Sequence, residues 1–281
     1  MTVYAAVYKA YPPKGIAGTP LARSFVGLAG GSPACYDGGD DPSFFSSEQL
    51  NGPVTWGVCR TTLRASVTPG DVIVLFARRP DADARGISYL FKGFATAARK
   101  ISHVDVWSNP REANFQNYLN LLIRPATGGT NRYRHWEPAD DHLDWLWRVC
   151  GPMRGRRNLF GVIGGTGRFV NGVTRLTDGS TIHAQQNYVI FSDSKVETMI
   201  LSTPIEVAWS PPIRDRSLEE WLADDRVQRI RELVIGKAST TTFGQRGLKT
   251  TNDQQAMQHL VLDNVSDVAG WRTAVRSVVT S

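Results

Sequence analysis

The chain has 281 residues, 41% of them hydrophobic, and eight tryptophans, which is enough for a packed core and excludes a disordered or low-complexity protein. Three cysteines, Cys35, Cys59 and Cys150, stand far apart with no CxxC pair, which excludes a disulfide scaffold and argues against a Cys-type zinc site. A formal charge of +6 favours a polyanionic partner, although a mildly basic enzyme has the same balance.

The N-terminus, MTVYAAVYKAYPP, lacks a basic region leading into a long apolar run, and no apolar stretch reaches spanning length. With this cysteine usage, a cytoplasmic protein without a membrane partner is expected. Val3 to Lys9 alternates and is rich in Val and Tyr, so it reads as a first strand. Residues 29–53, dense in Gly, Pro, Asp and Ser, read as a long loop. TWGVC, VIVLFARR and ISYLFKGFATAARKIS then give three β runs. A polar link carrying Pro69-Gly70-Asp71 joins the first two. Gly70 suits a tight turn there, and the Asp71 carboxylate can accept from backbone N–H groups.

Further on, SNPREANFQNYLN predicts a short helix capped by Ser108 or Asn109, and LLIRP another strand. DDHLDWLWRVC has helical spacing after an acidic start, while NYVIFSDS reads as a late buried strand. SLEEWLADDRVQRIRELV is amphipathic, with Leu218, Trp221, Leu222, Val227, Ile230, Leu233 and Val234 on its apolar face. A Ser/Thr/Gly loop over 236–251 and a final helical segment from Asp253 follow. The expected organisation is a β-rich domain over residues 1–213, with short-range strand pairing in an antiparallel curved sheet or barrel. A helical extension over 214–281 packs on the same core.

The Gly-rich run GVIGGTGRF has neither the Lys-Ser/Thr ending nor the βαβ context of a phosphate loop, so a mobile hairpin is preferred. The five histidines form no metal-ligand spacing, and neither a metal nor any other cofactor is expected. Aromatic and basic residues interleave through Trp56, Trp107, Trp136, Trp145 and Trp147, a composition suited to stacking a base and neutralising its phosphates. Trp56 and Trp147 are expected in the core. Trp107 and Trp136 are the candidates for a base pocket.

Cys59-Arg60, Pro69-Gly70-Asp71-Val72-Ile73, Tyr89-Leu90-Phe91-Lys92, Val106-Trp107 and Val189-Ile190-Phe191-Ser192 occur in an order that resembles the nucleotide-modification-associated domains. Those are relatives of the PUA-like superfamily that includes the EVE, YTH and ASCH domains. The likeness spans roughly residues 50–200, and Thr61 stands where the family has a proline. It implies an α+β, PUA-like curved antiparallel β-barrel with peripheral helices. It also implies a domain that binds DNA or RNA and recognises an unpaired or flipped, modified base, in association with a base-modification or defence system. On that expectation Trp107 or Trp136 forms a stacking wall, and Asp105 or Asn109 reaches the base edge. Arg60, Arg64, Arg99 and Lys100 hold phosphates, with the basic run Arg154, Arg156 and Arg157 beside the backbone. The alternative is an enzyme of nucleotide or nucleobase modification, a transferase or hydrolase. It would use His103 with Asp105, or His183, for proton transfer, and Gly165 to Arg168 to hold a phosphate. A protein partner at the C-terminal helices is a further expectation.

Overall fold

The structure, a computed structural model, describes residues 1–9, 53–57, 61–80, 87–101, 105–106, 109–117, 123–125, 136–138, 188–210, 224–235, 241–244, 247–250, 259–262 and 265–281. In chain order the elements are β1 (Val3–Lys9), β2 (Thr55–Trp56), α1 (Thr61–Ser66), β3 (Val72–Pro80), β4 (Ile87–Ile101) and a 3-10 helix (Pro110–Asn117). Then come β5 (Ile123–Pro125), β6 (Trp136–Pro138), β7 (Tyr188–Phe191), β8 (Met199–Ser210), α2 (Asp225–Ile235), β9 (Thr241–Gly244), β10 (Gly247–Thr250), β11 (His259–Val261) and α3 (Val268–Thr280). This is a mixed α+β fold built on an open seven-stranded sheet of order β11-β1-β3-β4-β7-β2, with β8 also paired to β4. The chain divides into two compact units. One holds Met1–Ala10, Thr68–Ala97 and Ser194–Ser281, and the other holds Tyr11–Val67 and Ala98–Asp193.

In the first unit the sequence of β3 explains its place. Val72 to Ala77 is a continuous apolar run with every side chain buried, as a strand covered on both faces requires. Gly70, at φ +94°, makes the turn into it. The buried Asp71 carboxylate fixes that turn, accepting from Thr2 N (2.7 Å), Thr68 N (2.9 Å) and the Thr68 hydroxyl (2.8 Å). The turn chemistry read from the sequence is therefore present, and it also ties down the start of β1.

β3 and β4 are antiparallel, as expected, but β1 runs parallel to β3 from Val3↔Val72 to Lys9↔Arg78. The expectation of purely antiparallel pairing is corrected on this point. Residues 10–71 supply the long connection that a parallel pair needs. Part of the presumed polar link is α1, a helix too short for its periodicity to stand out. The loop expected over 236–251 contains the β9–β10 hairpin, paired from Gly247↔Gly244 to Thr250↔Thr241. Nor does a single helix run on from Asp253: β11 pairs with β1, and α3 begins at Val268 under an Asp267 cap. The Asp267 side chain accepts from Ala269 N and Gly270 N, both at 3.1 Å.

The core of this unit lies between one sheet face and the two helices. Val227, Ile230 and Val234 of α2 and Val268, Trp271, Val275 and Val279 of α3 pack with Val74, Phe76, Phe91 and Phe94. The expected apolar face of α2 is found at Val227, Ile230 and Val234, while Leu218, Trp221 and Leu222 lie outside the described residues. Trp271 meets Phe94 in a tilted ring contact, centroids 5.3 Å apart, and donates its indole N–H to the Leu233 carbonyl at 2.6 Å, joining α3 to α2. Arg231, on the same helix face, is buried and donates to the Val207 carbonyl at 2.6 Å. Among the described residues no helix is long and apolar enough to cross a membrane.

Tyr4 on β1 carries a pH signature. Burial, then the Asp71 charge, raise its phenol above the usual value of 10.0, and a hydrogen bond with Thr2 works the other way. The neutral phenol is thus favoured in the folded state. Its contribution is complete below the unfolded pKa and is lost as pH rises through the higher folded value. Tyr4→Phe is expected to flatten the alkaline decline of stability, measured as the denaturant midpoint against pH on both proteins.

Candidate functional site

Most of the expected site residues fall in the second unit. There β2 and β7 pair through Thr55↔Ile190 and Trp56↔Val189. Tyr188 donates its buried hydroxyl to Thr55 Oγ1 at 3.1 Å, and its ring meets Phe115 edge-on with centroids 6.5 Å apart. Val106, Phe115, Tyr188 and Ile190 form a small core of their own, with Ile101 against it. Trp56 is buried, the core position expected of it, whereas Trp147 lies outside the described residues.

A capped turn leads into the 3-10 helix. The Asn109 backbone N–H donates to the Asp105 carbonyl at 3.0 Å. Asn109 Oδ1 accepts from Arg111 N at 3.1 Å, and its carbonyl accepts from Glu112 N at 2.9 Å. Of the two caps expected, Ser108 or Asn109, Asn109 takes the position, with Pro110 in the first turn, where its missing N–H costs nothing. As a base-edge ligand it would offer its side-chain NH2, together with whatever acceptor capacity Oδ1 keeps beyond the Arg111 bond.

Arg99, at the end of β4, grips the helix from the other side. Its guanidinium forms a two-pronged ion pair with the Glu112 carboxylate: Nη1 to Oε1, and Nη2 to Oε2 at 2.6 Å. The Glu112 side chain is only 2% exposed, against 45% for Arg99, and the guanidinium also lies 5.8 Å over the Phe115 ring. Lys100 Nζ donates to the Ala65 carbonyl at 2.8 Å, placing its charge where the C-terminal carbonyls of α1 attract a cation.

The structure therefore gives three of the expected phosphate-binding cations a place inside the protein's own architecture. Arg64, expected to hold a phosphate, is fully buried on α1. Arg99 and Lys100 already hold protein acceptors. Asp105 is exposed at the start of its turn. Trp136 opens β6, paired with Pro125 of β5, and its side chain lies outside the described residues. So do Arg60, His103, Trp107, Arg154, Arg156, Arg157, His183 and the Gly165 to Arg168 loop. The residue the sequence reading missed is Glu112. Its signal was the spacing Asn109-x-x-Glu112, a capping-box pattern whose carboxylate here turns to Arg99 instead of the cap N–H. Among the described residues no three His, Cys, Asp or Glu gather in a way that could hold a metal ion. No protein-family model matches this chain, and no curated protein or solved structure matches it either.

Proposed function

We propose that this chain is a nucleic-acid-binding domain of the PUA-like kind, taking an unpaired or flipped, modified base into a cleft of a curved sheet. The observation that supports it most is the Asn109-capped 3-10 helix, tied to the end of β4 through the Glu112–Arg99 pair and packed through Phe115 with Val106 and Tyr188. In the sequence the candidate stacking residue Trp107 falls between Val106 and the Asn109 cap. The register shifts along β3 and β4, with Gly93 at φ +130°, are of the kind that bends a sheet toward a barrel. The net charge of +6 fits an anionic partner.

Because Arg64, Arg99 and Lys100 are engaged within the protein, the reading assigns the phosphates to Arg60, Arg154, Arg156 and Arg157. Arg99 and Lys100 become positioning residues. The test is a panel of single- and double-stranded DNA and RNA, with and without modified bases, titrated across salt. If those four arginines each neutralise one phosphate, log K against log salt falls with a slope of about −3 on single strands. No affinity for any member at low ionic strength would overturn the proposal. Chemical turnover of a bound nucleotide would favour the enzyme using His103, Asp105 or His183.

A further inference from the structure

Helix α3 buries Val268, Trp271, Val275 and Val279, and that stripe leaves Arg272 and Arg276 one turn apart on its flank. Both are half-buried. Arg272 Nη2 donates to Thr96 Oγ1 at 2.9 Å, while the Thr96 hydroxyl donates onward to the Glu197 carbonyl at 2.6 Å. Arg276 Nη2 donates to the Thr198 carbonyl at 3.2 Å, and its guanidinium sits 5.1 Å over the Phe94 ring. The two forks are thus held against β4 and the turn that precedes β8.

Among the described residues the acceptors of both arginines are a hydroxyl and a carbonyl, with no carboxylate. Burial, then the neighbouring Arg272 charge, lowers the Arg276 pKa from its ordinary value. Arg272 Nε is closed off from solvent and has no acceptor. A buried donor on a charged group ordinarily finds a partner. Two cations four residues apart on a helix also repel each other.

We propose that Arg272 and Arg276 form a seat for a tetrahedral oxyanion of the phosphate class, bridged between the two guanidinium groups. Planar forks suit such oxygens, and an anion between them removes the repulsion. Thr96 and Thr198 serve to hold the forks in place. The seat does not rest on the nucleic-acid reading, because it belongs to the other compact unit. A free phosphate ion and the terminal phosphate of a nucleotide share this chemistry.

The experiment titrates the full chain with inorganic phosphate at constant ionic strength, using chloride as the comparison. It follows the arginine Nε–H signals by NMR and the thermal midpoint. Saturable shifts confined to two arginine side chains, with a rising midpoint, are expected. Arg276→Gln should weaken phosphate binding by about tenfold or more, the loss of a charge-assisted bond. Arg276→Lys should recover only part, and Arg229→Gln on the exposed face of α2 should change nothing. A 5′-phosphorylated dinucleotide that binds more tightly than its unphosphorylated form and than phosphate identifies a nucleotide terminus as the occupant. Equal affinities for the phosphorylated dinucleotide and phosphate identify the free ion. A response to phosphate that matches chloride and never saturates overturns the seat, and this comparison needs no variant to fold.

Discussion

Replacing Gly93 with alanine is expected to remove about 3–5 kcal/mol of stability, a large share of what a domain has. Gly93 lies in β4 where the pairing shifts, next to the Phe91↔Ile205 and Gly93↔Ile200 pairs. Its φ is +130°, a conformation that side chains rarely adopt. The obstacle is also steric. A Cβ there would stand 1.9 Å from the Met199 carbonyl oxygen and 2.9 Å from its carbon. Both are backbone atoms of the paired strand β8, so relief requires separating two strands rather than rotating a side chain. Gly70 is the matched control. Its φ is +94°, but the nearest atom to an added Cβ is Met1 Cε at 3.9 Å, so Gly70→Ala carries only the backbone strain, about 1–2 kcal/mol. Denaturant midpoints of the two variants decide the matter. A Gly93→Ala loss no larger than that of Gly70→Ala would mean that β4 and β8 are not locked at this bulge.

How much of this was legible in the sequence follows from the range of each interaction. β1, β3, β4 and β7 could be read because alternation and continuous apolar runs are local properties. The apolar face of α2 emerged from its helical spacing for the same reason. Strand partners are not local, so nothing in VYAAVYK announces that it pairs parallel with VIVLFAR. The start of α3 was obscured because Asp253 and Asp267 both resemble caps. The Asp267 carboxylate accepts the first amides of α3, while Asp253 lies outside the described residues. Arg64 was misplaced for a similar reason. A basic residue between apolar runs suggests water, whereas on α1 Arg64 is fully buried. The candidate site was legible in its local part, the Asn109 cap. The Arg99–Glu112 pair spans two elements, and no pattern within either one predicts it.

That pair gives the second large effect. Arg99→Ala leaves the nearly buried Glu112 carboxylate without its cation and strips the cover from Phe115. Removing one partner of a buried pair costs about 3–5 kcal/mol. The half-exposed position of Arg99 lets water reach the site and reduces this to about 2–3 kcal/mol. Arg99→Lys keeps the charge but not the fork, so a smaller loss is expected. In combination with Glu112→Gln, Arg99→Ala should cost much less than it does alone, a coupling that double-mutant unfolding measures directly. The same variants divide the two roles that Arg99 has been given. As a positioning residue it should leave the salt dependence of nucleic-acid binding unchanged at temperatures where the variant stays folded. As a phosphate contact its loss should make the slope shallower by about 0.7–0.9, with little change in stability. The geometry favours the first result, because both terminal nitrogens of Arg99 already face Glu112. A shallower slope with an unaltered unfolding midpoint would return Arg99 to the binding surface.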